Sequence, residues 1–176
     1  MEIRSSNESS FRQVYDQVFP LLMRVAYHVT YNKDVAEDIC QEAFIRFYDK
    51  DMIFPSENDA KYWLIRVTKN LAINHVKRKA REKSYLDKLK KTSKHITYKD
   101  ASSSLMEKES KQLVRQAIEQ LPEKYKMVIV LKEYAGMNYK QISSVLSISE
   151  SNVKVRVYRA RKELETMLNM EEVNVP

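Results

Sequence analysis

Hydrophobic positions recur every three or four residues over most of this chain, the period of amphipathic helices. Phe11–Phe19 predicts a first helix, Pro20 is expected to interrupt or restart it, and Leu21–Val29 follows. Tyr31–Lys33 reads as a short break with Asn32 as its turn residue. Asp34–Tyr48 predicts the next helix, with Ala36, Cys40, Ala43 and Phe47 on one inward stripe. Lys50–Ser56 reads as a loop holding Phe54 and Pro55. A long helix then runs from Asp59 to about Lys79, with Leu64, Val67 and Leu71 facing inward.

From Lys79 to Ser104 the apolar stripe gives way to Lys, Ser, Thr and isolated aromatics, the composition of a tether. Four helices are expected between Leu105 and about Met170. One ends near Leu121 and the next starts at Pro122, with Glu123 at the positive end of its dipole. Gly136 stands where a left-handed helix cap is expected, and Asn138 with Gln141 spells a capping box. Ile142, Val145 and Leu146 then mark a short helix, Ile148 a turn, and Val153 and Val157 the inward pair of a second helix. That second helix carries Lys154, Arg156, Arg159, Arg161 and Lys162. Two short helices, the second strongly basic, are the layout of a helix-turn-helix, whose second helix enters the major groove.

The expected fold is all-α: two small helical domains, at residues 1–80 and 108–170, joined by a flexible basic linker over 81–107. Composition agrees, because a single Gly and four Pro among 176 residues leave little with which to turn hairpins. Thirty-one Lys and Arg against 24 Asp and Glu give +7, a balance that favours a polyanionic partner. Distribution says more than the total. Lys61–Lys94 holds twelve basic residues against Glu82 and Asp87, whereas Asp34–Glu42 holds four acidic residues and no basic one. Two faces of opposite sign suggest two partners. The lone Cys40 excludes an internal disulfide and fits a reducing cytoplasm. The polar N-terminus lacks a signal peptide's apolar core, and no run is long enough to span a membrane.

Two helix faces stand out. Asp38, Gln41, Glu42 and Ile45 share one side of their helix, with Arg46 at its edge. Such a face is either solvated or a docking surface, and an aliphatic within a polar rim suits docking. On the long helix, Arg66, Asn70, Asn74 and Lys77 align with almost no acids among them to pair with. Mid-helix Asn is a poor helix former, which suits a role in contacting bases or phosphates. Trp63 reads either as core or as a stacking platform for an unpaired base. Cys40 reads as core packing. The histidines His28, His75 and His95 show no metal-ligand spacing, and no cofactor site or catalytic cluster is visible in the sequence.

Three ordered stretches, Asp34–Phe47, Trp63–Arg78 and Ile118–Leu164, resemble the extracytoplasmic-function sigma factors of bacterial RNA polymerase. The resemblance runs over nearly the whole chain. It implies a non-enzymatic, cytoplasmic specificity subunit, monomeric when free. Its partners would be the β and β′ subunits of core polymerase, promoter DNA and an anti-sigma factor. Asp38, Gln41, Glu42, Ile45 and Arg46 would dock on the polymerase clamp. The loop with Phe54, and Trp63, Arg66, Asn70, Asn74, Lys77 and Arg78, would engage the −10 element. Ser151, Asn152, Lys154, Val155, Arg156, Tyr158 and Arg159 would read the −35 element. The chain departs from the family pattern at Ser143, Ser147, Asn152, Val155 and Asn74, where Ala, Gly, Thr, Ser and Asp are usual. The competing reading is a stand-alone helix-turn-helix repressor or activator, although such proteins are usually dimers and no dimerisation helix is evident.

Overall fold

The computed structural model describes residues 2–89 and 105–173. The linker expected over 81–107 falls partly on residues 90–104, which lie outside the described residues. Its two ends are helical: α3 continues to Leu89 and α4 begins at Leu105. With no apolar stripe to end and no Gly or Pro to break it, the basic stretch after Lys79 extends the preceding helix.

The N-terminal lobe is α1 (Glu8–Thr30), α2 (Lys33–Asp49) and α3 (Glu57–Leu89), each packed on the other two. Helix α1 is continuous through Pro20, contrary to the expected break. Its buried stripe of Val14, Val18, Leu22, Val25, Ala26 and Val29 runs past the proline. Pro20 lies on the exposed side, where water can satisfy the carbonyl that its missing N–H leaves free. The helix ends at Tyr31, whose left-handed φ of 50° turns the chain, and Asn32 caps α2 by accepting from the Val35 N–H at 2.9 Å. On α2 the stripe Ala36, Cys40, Ala43 and Phe47 is buried as its spacing predicts. On α3 the innermost residues are Leu64, Ile65, Thr68 and Ala72, so Val67 and Leu71 are only half-buried.

Among the described residues two short strands are not helical. Ile3–Arg4 (β1) pairs antiparallel with Ile53–Phe54 (β2), Ile3 opposite Phe54 and Arg4 opposite Ile53. The N-terminus therefore crosses the loop between α2 and α3.

The C-terminal lobe is α4 (Leu105–Gln120), α5 (Glu123–Ile129), a wide π-helical turn over Val130–Tyr134, α6 (Tyr139–Leu146) and α7 (Glu150–Val173). Gly136 takes the left-handed conformation expected of it, at φ 65°. The capping box is present: the Asn138 side chain accepts from the Gln141 N–H, and the Gln141 side chain accepts from the Asn138 N–H, each at 2.9 Å. Ile142, Val145, Val153, Val157 and Ala160 close the core between α6 and α7. Arg161 of α7 ties back to Glu133 at 2.7 Å.

The two lobes touch. α3 packs on α6, α1 packs on the π-helical turn, and one buried apolar cluster is continuous from Ile3 to Ala160.

Candidate polymerase-docking and DNA-binding surfaces

Burial of one stripe of α2 forces its opposite side outward, and the expected docking residues lie there. Asp38, Gln41, Ile45 and Arg46 are exposed, and Glu42 holds Arg46 in an ion pair of 2.8 Å. Ile45 is 55% exposed and Tyr48 is 49% exposed. The face thus carries two exposed side chains with apolar surface among carboxylates, an amide and one guanidinium. Tyr48 was not singled out in the sequence, although its three-residue step from Ile45 was the available signal. Cys40, directly behind, is fully buried, and burial raises its thiol pKa to about 12, so it stays an unreactive core group.

The expected −10 residues divide into four groups. Phe54 is a correction: it is only 5% exposed, stacked on Phe47 with ring centres 5.4 Å apart and edge-on to Trp63 at 6.0 Å. Strand alternation turns Phe54 inward and leaves its neighbour Ile53, 62% exposed, as the outward apolar residue of the loop. Trp63 is half-buried in the same aromatic cluster, so one side of its ring is core. Asn70, Asn74 and Arg78 are exposed, with Arg78 facing Glu82 at 3.7 Å. Arg66 and Lys77 are exposed but engaged by the other lobe. The Arg66 guanidinium donates to the Ser144 carbonyl at 2.9 Å and to the Val145 carbonyl at 3.2 Å, at the C-terminal end of α6. Lys77 pairs with Glu123 of α5 at 2.7 Å. A cation at the negative end of a helix is favourably placed, and this contact closes the lobes on each other.

A second contact joins the lobes on the far side. His28 of α1 stacks on Tyr134 with ring centres 3.5 Å apart, and Arg115 of α4 lies over the Tyr31 ring at 4.2 Å. Burial lowers the His28 pKa below its ordinary 6.5, and its Nδ1 has no protein hydrogen-bond partner. An open cleft of about 630 Å³ beside it is lined by Arg24, Tyr27, Lys33 and Asp34 among others.

The residues expected at the −35 element form one outward face of α7. Ser151, Asn152, Lys154, Val155, Tyr158 and Arg159 are all exposed, and Tyr158 reaches 67%. Arg156 is half-buried and donates to the Asn152 side-chain oxygen at 2.9 Å. That bond holds an amide and a guanidinium side by side on the helix. Ser149 caps the helix by accepting from the Asn152 N–H at 3.2 Å. Among the described residues no cluster of His, Cys, Asp and Glu could hold a metal ion, and no helix is long and apolar enough to cross a membrane.

Fold and surfaces together define a two-lobed helical protein with a helix-turn-helix in its second lobe. Residues 14–82 match the family described as Sigma-70 region 2, and residues 111–164 match Sigma-70, region 4. The chain is 30% identical to the ECF RNA polymerase sigma factor SigW of Bacillus subtilis, over 95% of this chain and 93% of that one. It is 28% identical to SigM of the same organism, over 88% of this chain and 94% of that one. The fold is also that of the sigma factor RpoE of Bartonella quintana, solved in complex with the anti-sigma factor NepR. That match has a TM-score of 0.65 at 23% identity, over 92% of this chain and 98% of that one. CnrH, solved with the cytosolic domain of CnrY, matches with a TM-score of 0.65 at 20% identity, over 94% of this chain and 92% of that one. The chain belongs to the extracytoplasmic-function sigma factors of RNA polymerase. Membership in a family of polymerase subunits decides against the stand-alone regulator.

Proposed function

We propose that three surfaces divide the work of this sigma factor in promoter recognition. The α2 face of Asp38, Gln41, Glu42, Ile45, Arg46 and Tyr48 docks on core polymerase, at its β and β′ subunits. The α3 residues Trp63, Arg66, Asn70, Asn74, Lys77 and Arg78, with Ile53 from the preceding loop, engage the −10 element. Opening that duplex takes bases out of the stack at a few kcal/mol per base, which contacts to the displaced base offset. The exposed face of α7, Ser151 to Arg159, reads the −35 element as duplex. The protein catalyses nothing itself; it acts in the cytoplasm, where it positions the polymerase that does.

The observation that carries the docking assignment is the exposed Ile45–Tyr48 pair within its charged rim. An exposed aliphatic and an aromatic three residues apart within a charged rim suit a docking face. In the arrangement described here Arg66 and Lys77 are bound to the other lobe, so the lobes separate before these side chains meet DNA. The protein thus has a closed form, and a partner that holds the lobes together acts as a repressor. RpoE and NepR supply the precedent for an anti-sigma partner, and we assign this chain a regulator of that class.

Reversing charge at Asp38 and Glu42 together tests the docking surface. The double variant loses capture by core polymerase in a pull-down while its C-terminal face still binds promoter duplex. Retention on core polymerase at the unmodified level contradicts the assignment.

A further inference from the structure

We propose that the N-terminal segment Ile3–Ser6 is a positioning strap for the −10 surface, fixing the loop that presents Ile53. The inference rests on the reading that this loop and α3 engage the −10 element.

A two-residue strand pair does not hold by itself, so other contacts account for it. Ile3 is 2% exposed and anchors the strap in the core of the first lobe. Ser5 is a fully buried polar residue bonded to the loop. Its N–H donates to the Met52 carbonyl at 2.9 Å, and its Oγ accepts from the Met52 N–H at 2.8 Å. Arg4 makes a two-pronged ion pair with Asp51, at 2.8 and 2.7 Å, and Ser6 Oγ donates to the same carboxylate. Paired guanidinium–carboxylate bonds fix orientation as well as distance. Asp51 has a left-handed φ of 45°, the backbone turn that follows the end of α2, as the one at Tyr31 follows α1.

The consequence falls on the next residues. With Asp51 and Met52 pinned and Phe54 locked against Phe47 and Trp63, Ile53 has one direction available, outward. An apolar side chain held outward on the loop that leads into α3 is a fixed surface for a base displaced from the duplex. Ile53 then determines specificity, and Arg4, Ser5 and Asp51 are positioning residues that touch no DNA.

The test uses the full chain with bacterial core polymerase and run-off transcription from two promoter libraries, one randomised at −10 and one at −35. Arg4→Gln and Ser5→Ala are compared with the unmodified chain, with Ile53→Ala as a surface variant that leaves the strap intact. Arg4→Gln removes only an exposed ion pair, and retained helical circular dichroism verifies its fold. The expected result is a fall of about tenfold in discrimination among −10 sequences for all three variants, within what one read base is worth. Discrimination at −35 and affinity for core polymerase stay unchanged. Full −10 discrimination in Arg4→Gln and Ser5→Ala, with only a lower melting temperature, overturns the strap and leaves the −10 reading standing. If the unmodified chain shows no −10 preference, that reading fails and the strap with it.

Discussion

At the scale of single residues, the second helix of the helix-turn-helix carries the most specific chemistry. Arg159 is exposed on the face that also holds Tyr158 and Val155. If it bonds a base edge with both prongs, Arg159→Ala weakens binding to a preferred −35 duplex by about 1–3 kcal/mol. Titration against a scrambled duplex checks the cause: an equal loss there marks a phosphate contact instead. Most of this face was legible in the sequence, because Val153 and Val157 fix which side is buried and everything opposite is therefore out. Phe54 was not legible. In the sequence it is one aromatic in a loop, and only pairing with a distant N-terminal strand decides that Phe54 turns in and Ile53 out. Tyr48 was missed for a related reason, since an aromatic one step beyond an acidic face reads as ordinary helix surface until its exposure is known.

Elements were legible wherever period and cap agree. The capping box at Asn138 and the left-handed Gly136 follow from local chemistry alone, and the structure has both. Where packing competes with local preference the sequence misled: α1 runs through Pro20 because six buried side chains along it outweigh one missing hydrogen bond. The turn of the helix-turn-helix retains a conflict of this kind. Ser147 sits at φ 54°, a left-handed conformation that costs a residue with a Cβ about 1–2 kcal/mol. Ser147→Gly relieves it, offset in part by the extra freedom of the unfolded chain. The expected gain is about 0.5–1 kcal/mol in urea unfolding, with −35 binding unchanged. A loss of stability contradicts this account of the turn.

At the scale of the whole molecule, the contact between lobes could not be read from the sequence. Arg66 and Lys77 look like free cations on a basic helix, and only docking of α5 and α6 gives them partners. His28 makes that contact sensitive to pH. Burial against Tyr134 lowers its pKa, with Tyr31 and Arg115 beside it and Arg24, Lys33 and Asp34 around the cleft. Because its pKa is lowered in the closed form, the open form takes up the proton first as pH falls. Closure is therefore favoured above about 6.5 and weakens below it. Energy transfer between dyes on the two lobes should drop across that range, and His28→Phe should remove the dependence. A signal that is flat with pH in the unmodified chain contradicts the role of His28.

On the proposed function, one chain joins core polymerase to promoter DNA through α2, α3 and α7. Run-off transcription by core polymerase with this purified chain, from a library randomised at both promoter elements, tests it most directly. Defined transcripts that need the chain are expected, from templates enriched for one −35 and one −10 sequence at a fixed spacing. Transcripts that do not depend on the chain, or no enrichment at either element, contradict it.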